Sequence, residues 1–314
     1  MSKRMEILTV TLNAALDKHY RLESFSAQGI YRGAKPVTLP SAKGINAART
    51  MQTLDPTAIV HCTGFVGGWT GKHICHLLEQ EGLRHNLLPV PGESRTCMTF
   101  TAQEGIHFEI LEPGITVDRD AQQKLLAVVE GHAAAAAWVV IAGSPAEGTE
   151  RDICRELTAC ARAQGASVLV DVRSPWLETA WLAGPDVSKP NWSEFLSAVG
   201  LPPTADQNAV VRAAKTVARD GVGLLLISQG TSGSLAVTEN EVLRVSAPQV
   251  STVSPVGCGD AMVGAFVLSQ SRGASLKESL QWAAAAAASN AAHLGAGVVD
   301  PEETEALAAL VQVE

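Results

Sequence analysis

The sequence predicts an α/β fold: a parallel sheet covered by helices on both faces, with a small extra sheet attached. Three observations carry this. Short apolar runs alternate with longer helix-like stretches along most of the chain, the pattern of parallel strands joined by crossover helices. Two regions interrupt the alternation with strand-like pieces and no helix between them. The 314 residues, 46% hydrophobic and 18% charged, suffice for a large core and are too apolar for a disordered chain.

Buried strands are expected at residues 7–10, 59–64, 138–141, 167–171 and 224–228, short apolar runs ending at or beside Gly, Ser, Thr or Asp. Helices are expected at 47–54, 71–81, 121–132, 149–164 and 208–220, from their length and apolar spacing. Residues 280–294 read as an alanine-rich helix whose small side chains allow tight packing. The alanine run is helix propensity, not a functional signal. The two interruptions are residues 12–43 and about 91–112, with strand-like pieces at 35–39, 96–102 and 107–110. A sheet that is apolar on an exposed side needs a cover, often a partner subunit.

A net charge of −8 argues against sequence-independent nucleic-acid binding, which needs a basic surface. The opening MSKRMEILTVTLN contains only a short apolar run that reads as a strand. No signal peptide and no span of about 20 apolar residues is expected, hence no membrane association and a cytoplasmic setting. The six cysteines, at 62, 75, 97, 154, 160 and 258, form no CxxC pair and no Cys/His metal spacing, so free thiols are expected.

The segment richest in chemistry is Val256-Gly257-Cys258-Gly259-Asp260-Ala261-Met262, where a glycine loop opens an apolar helix. Free N–H groups and the helix dipole favour an anion there, and a carboxylate in the same turn can take a proton from an attacking hydroxyl. An ordinary Asp cap after a Gly-rich turn would look the same. Ser41-Ala42-Lys43-Gly44-Ile45-Asn46 opens another helix, where Lys43 and Asn46 suit a phosphate and a sugar hydroxyl, or a surface lysine and a cap. Asp17, just beyond the first strand, is expected where open α/β sheets bind ligands, or in a solvated turn. Asn191 and Glu194 have capping-box spacing; they could also reach Mg²⁺ through its waters. Ser228 to Gly233 reads as a hairpin turn or as a loop near a nucleotide's phosphates. Arg32 and Arg95 fall in the two extra strand regions, where paired arginines would suit a substrate that already carries a phosphate.

Together and in this order, these stations resemble the PfkB (ribokinase-like) family of carbohydrate kinases over nearly the whole chain. The carrying motifs are TLNAALD, SAKGINAA, AGSPAEG at 142–148, SKPNWSE, SQGTSG and VGCGDAMVGAF. The TLN…D opening and the KGIN form resemble the branch containing 1-phosphofructokinase and tagatose-6-phosphate kinase. The resemblance implies a doubly wound α/β core, expected at 1–11, 44–90 and 113–314, and a discontinuous β lid at 12–43 and 91–112, often used for dimerisation. It implies ATP and Mg²⁺, with Asp260 as general base and the N–H groups of Gly257, Cys258 and Gly259 as anion hole. Asp17, Lys43, Gly44 and Asn46 would lie at the sugar, with Arg95 and Arg32 on its phosphate. Lys189, Asn191, Ser228, Gly230 and Gly233 would line the nucleotide, with Asn191 and Glu194 on the metal side through water.

Three departures from the family pattern stand out. Ala42 replaces a glycine before the lysine. Cys258 replaces a common alanine, and a thiol at a helix start is expected to have a lowered pKa. The 142–148 turn differs from the usual Ser-Gly-Ser-Leu-Pro-Pro-Gly. The expected activity is phosphorylation of a phosphorylated ketohexose, fructose 1-phosphate first, then tagatose 6-phosphate or fructose 6-phosphate. The alternatives are a kinase of an unphosphorylated sugar or nucleoside, and a weakly catalytic sugar-phosphate-binding regulator.

Overall fold

The computed structural model describes residues 6–26, 28–102 and 107–314. Among these, the strands in chain order are β1 (Glu6–Thr11), β2 (Ala15–Leu22), β3 (Val37–Ser41), β4 (Ile59–Val66), β5 (Arg84–Pro89), β6 (Arg95–Ala102) and β7 (His107–Leu111). They continue with β8 (Ala136–Ala142), β9 (Ser167–Asp171), β10 (Val187–Ser188), β11 (Leu224–Ser228), β12 (Ser234–Val237) and β13 (Val242–Val245). The helices are α1 (Lys43–Leu54), α2 (Gly68–Gln80), α3 (Arg119–Ala133), α4 (Ile153–Ala163) and α5 (Trp176–Trp181). After them come α6 (Trp192–Ala198), α7 (Gln207–Arg219), α8 (Cys258–Ser271), α9 (Leu276–Ala292) and α10 (Pro301–Ala308).

The larger sheet has the order β13-β12-β11-β10-β9-β8-β1-β4-β5. It is parallel from β11 to β5, while β12 and β13 add an antiparallel edge. The expected parallel-type core thus carries an antiparallel edge, because the turn after Ser228 is too short for a crossover and folds the chain back as a hairpin. Strands β1, β8 and β9 read as continuous apolar runs because successive side chains enter opposite cores. Ile7, Val140 and Leu169 enter the core shared with α1, α2, α8 and α9. Leu8, Val139, Ile141, Val168 and Val170 enter the core shared with α3 and α4. Full burial of each large side chain, such as Phe65 or Phe266, stabilises by about 1.5–3 kcal/mol.

The second sheet has the order β3-β2-β6-β7, so it draws on both interruptions of the alternation. Strand β2 pairs parallel with β6 and antiparallel with β3. Tyr20, Phe100 and Phe108 stack on one face, with centroids 5.0 and 4.7 Å apart. Strand β2 was not among the expected strands, because its sequence ALDKHYRL mixes charge with apolar residues on a sheet buried unevenly. It carries Asp17, which therefore lies inside the smaller sheet and not at the carboxyl end of a core strand.

Residue 42 marks local strain. Ala42 precedes α1 with φ 139° and ψ 162°, a region of backbone space essentially reserved for glycine. Replacing Ala42 by Gly removes the side-chain clash but adds freedom to the unfolded chain. The expected net effect of Ala42→Gly is a stabilisation of about 1 kcal/mol, read as a higher midpoint in urea or thermal unfolding.

Candidate active site

The carboxyl ends of β9, β10 and β11 meet the starts of α1 and α8. Asp171, the last residue of β9, ties them together. Its Oδ1 lies 2.7 Å from Lys43 Nζ and its Oδ2 lies 3.1 Å from Lys189 Nζ. Burial alone would raise the pKa of Asp171, but Lys189 and Lys43 outweigh it and hold the carboxyl below its ordinary value. Burial also opposes the charge on Lys43; Asp171, Glu194 and Asp260 overcome this and raise its pKa. Both partners are thus fixed in their charged forms.

Asp260 is the third residue of α8 and is buried. Its Oδ2 accepts a hydrogen bond from Asn46 Nδ2 at 2.8 Å. Burial, aided by the negative charge of Asp171, pushes its pKa up to about 6, against the pull of Lys43, Asn46 and Lys189. A carboxylate tuned this way is ionised at neutral pH yet basic enough to take a proton.

Helix α8 begins at Gly257, whose φ of 86° suits glycine and whose position leaves no room for a Cβ against Ala296. Helices α3, α6, α7, α9 and α10 each have a side-chain cap, but α8 has none. Among the described residues, the N–H groups of Gly257 and Gly259 donate to no acceptor, and that of Cys258 reaches only its own thiol. They form an anion-receptive start, and a Cβ on Gly259 would lie 3.2 Å from Lys189 Nζ. Gly44, the second residue of α1, packs so closely on β1 that a Cβ would meet Thr11 Oγ1 at 2.4 Å.

The Cys258 thiol departs from expectation. Burial pushes its pKa up to about 11, and this outweighs the hydrogen bond from Asn290 Nδ2 at 3.6 Å. The helix start therefore does not make it a reactive thiolate.

Asn191 and Glu194 form the capping box of α6: Asn191 Oδ1 accepts from the Glu194 N–H and Glu194 Oε2 from the Asn191 N–H, both at 2.9 Å. Glu194 Oε1 stays clear of the box, 4.0 Å from Lys43 Nζ. Among the described residues, no three His, Cys, Asp or Glu side chains are grouped to hold a metal directly. A single oxygen donor beside a phosphate-receptive helix start fits Mg²⁺, which keeps its waters and is held largely through substrate phosphates.

Beside α8 lies a cavity of about 310 Å³, lined by Ser228, Gly230, Gly233, Cys258 and Gly259 on its polar side. Its apolar wall includes Ala284, Ala287, Ala288 and Ala291 of α9. This face corrects the reading of the alanine run as propensity alone. The 284, 287, 288, 291 spacing is one helical stripe, and its small side chains leave a slot where larger ones would fill it.

The structure brings Lys43, Gly44, Asn46, Lys189, Asn191, Glu194, Ser228 and Gly257–Asp260 together, along with Asp171. Asp171 was legible as a strand-end carboxylate but not as a site residue. Asp17 is nine-tenths buried in β2, with its Oδ2 3.8 Å from His19 Nε2. Arg95 lies on the same face, one pleat away, since Ala15 pairs with Arg95 and Asp17 with Cys97. Its Nη2 donates to the Asn13 carbonyl at 3.2 Å, while its Nε is buried with no partner. Arg32 is exposed in the link between β2 and β3 and makes no ion pair with the Asp171–Asp260 cluster.

Residues 11–303 match the pfkB family carbohydrate kinase pattern, and the chain belongs to this family of ATP-dependent sugar kinases. It is 30% identical over 316 residues to a 1-phosphofructokinase of Rhodobacter capsulatus, covering 99% of this chain and 98% of that protein. It is similar to phosphofructokinase-2 of Escherichia coli (TM-score 0.90, 27% identity, 98% and 99% covered), an enzyme also solved in complex with fructose-6-phosphate. Arabidopsis thaliana ribokinase, 22% identical with a TM-score of 0.76 over 96% and 98% of the two chains, shares the ribokinase-like fold.

Proposed function

We propose that the protein transfers the γ-phosphoryl group of ATP to a hydroxyl of a phosphorylated ketohexose, fructose 1-phosphate first, then tagatose 6-phosphate or fructose 6-phosphate. The observation that carries the choice of a phosphorylated substrate is Arg95, a half-buried guanidinium with one buried N–H unanswered, one pleat from Asp17. A buried donor without a partner is costly unless a ligand satisfies it, and a phosphate oxygen is a suitable acceptor. Similarity to a 1-phosphofructokinase along the whole chain supports the first choice.

In this reading Asp17, Gly44 and Asn46 orient the sugar, with Lys43 nearby. Asp260 accepts the proton of the acceptor hydroxyl as its oxygen bonds to the γ-phosphorus and the bond to the ADP oxygen breaks. The N–H groups of Gly257, Cys258 and Gly259 stabilise the charge on the moving group, because they are already aimed and need no reorganisation. Lys189, Ser228, Gly230 and Gly233 hold the nucleotide, with its base in the slot against the α9 alanines. Mg²⁺, reached through water by Asn191 and Glu194, would neutralise charge on the phosphates. Arg32 would approach the substrate's phosphate if the smaller sheet closes over the site as a lid.

The lid also exposes Ile30, Tyr31, Val37, Ile110 and Leu111, between 40% and 76% accessible. Ile110 lies on the face of Tyr20, Phe100 and Phe108, opposite to Leu111, and a second copy of the chain covering that face would remove its apolar surface from water. Light scattering is expected to give a dimer that Ile110→Asp shifts toward monomer; a wild-type monomer at micromolar concentration refutes the interface.

Asp260→Asn is expected to lower kcat by about 10²–10⁴-fold with little change in substrate affinity. A base protonated below its pKa loses activity as the pH falls, so the acid limb of kcat is expected near the value of about 6 that burial gives Asp260. Undiminished turnover in Asp260→Asn refutes the assignment. An ADP-release assay across sugars, sugar phosphates and nucleosides names the substrate.

In that assay Arg95→Ala is expected to raise KM for the sugar phosphate at least tenfold while sparing KM for ATP. An unchanged sugar-phosphate KM turns the choice toward an unphosphorylated substrate.

A further inference from the structure

Asn46 is the side chain that touches the Asp260 carboxylate, and its amide has two faces of nearly equal shape. With the NH₂ toward Asp260 the contact is attractive; with the carbonyl toward it, two oxygens repel. The choice is made on the far side of Asn46. Its Oδ1 accepts from Ser41 Oγ at 3.0 Å and from Arg49 Nη1 at 3.1 Å. A guanidinium has five donors and no acceptor, so only the carbonyl end of the amide can face it. Arg49 is itself immobilised. Its Nε and Nη2 grip the Glu81 carboxylate at 2.9 and 3.2 Å, Nη1 donates to the Ala296 carbonyl at 2.7 Å, and Nη2 donates to the Pro40 carbonyl. The side chain is only 9% exposed and occupies all of its directions at once.

We propose that Arg49, clamped by Glu81 and by the Pro40 and Ala296 carbonyls, is a positioning residue for the phosphoryl-transfer base: it locks the Asn46 amide so that its N–H points at Asp260. The inference rests on Asp260 being the base. It extends the site from α1 to three further elements. Pro40 lies in β3, Glu81 follows α2, and Ala296 precedes Gly297, whose N–H donates to Asn290 Oδ1 at 2.7 Å. Asn290 in turn donates to the Val256 carbonyl at 2.8 Å, directly before the start of α8. The same loop that anchors the guanidinium therefore also anchors the helix that carries the carboxylate. A lysine at position 49 would keep the charge but lose the planar fork that makes these bonds together.

The test is the titration of Asp260 in substrate-free protein labelled with ¹³C at the aspartate carboxyl carbons, the resonance assigned by its loss in Asp260→Asn. The other charged groups that bear on Asp260 are Lys43, Asp171 and Lys189, and none is altered. Arg49→Lys is expected to move the Asp260 midpoint to higher pH by about 0.5–1 unit, because a lost hydrogen bond to the charged form disfavours that form. The acid limb of kcat should move with it, with KM for ATP unchanged. In an Asn46→Ala background, Arg49→Lys is expected to add no further shift. Ser41→Ala, a milder change, is expected to give a smaller shift of the same sign and carries the test if Arg49→Lys does not fold. A midpoint unmoved in the folded variant, or an equal further shift in the Asn46→Ala background, overturns the proposal. The titration needs no turnover, so it is separate from the base assignment. If Asp260→Asn stays active, the base reading fails; if Asp260→Asn is inactive and Asp260 titrates unchanged in Arg49→Lys, only the role of Arg49 fails.

Discussion

The site depends on one buried carboxylate. Asp171 brings a negative charge to the end of β9, inside a protein, where an isolated charge is strongly disfavoured. Two lysines, from the start of α1 and from the turn after β10, answer it. Lys189, 4% exposed, is tolerable there because Asp171 is present, while Lys43 also draws on Glu194 and Asp260. Removing Asp171 would leave Lys189 as a buried charge without its partner, a change that typically costs about 3–5 kcal/mol. The trio therefore fixes where α1 begins relative to the sheet. It also places two cations beside the open end of α8, where a polyanionic ligand would otherwise meet only backbone N–H groups.

Asp260 occupies the other side of this arrangement. It is close enough to Lys43 and Lys189 to feel their charge and close enough to Asp171 to be repelled, while burial raises its pKa further. Its single side-chain hydrogen bond comes from Asn46, on the same helix start as Lys43. Helices α1 and α8 thus present complementary equipment across a narrow gap. Gly264 of α8 lies where a Cβ would meet the Ala47 carbonyl at 2.6 Å, so the two helices approach more closely than larger residues would permit. Close packing between these helices and the short Asn46–Asp260 contact are aspects of one geometry.

Much of this was legible in the sequence. The five core strands were marked by apolar runs buried on both faces, and the loop-to-helix motifs around Lys43 and Asp260 gave the two ends of the site. What escaped reading followed physical rules. Strand β2 carries Asp17, Lys18 and His19 in a sheet that is not uniformly buried, so neither periodicity nor apolar content flags it. Strands β12 and β13 have four residues each, too short to stand out. The α9 alanines mark a slot by what their side chains do not fill, and propensity accounts for alanine equally well. The Cys258 thiol was misjudged because the helix start was visible in the sequence and the burial was not. Asp17 was placed one element too early for the same reason that β2 was missed. Nothing in the sequence marks Arg49, and only the fold reveals its four partners.

The smaller sheet joins parts of the chain made far apart in time. Strands β2 and β3 have only each other until residues 95–111 supply β6 and β7. A lone pair of strands is marginally stable in water at best. During synthesis from the N-terminus, Asp17 is therefore made early but seated late, after β4, α2 and β5 have brought β6 alongside β2. The nascent chain must carry the β2–β3 ribbon without its partner strands through that interval, which leaves Tyr20 uncovered, and a chaperone's natural target, until Phe100 and Phe108 arrive to stack beside it.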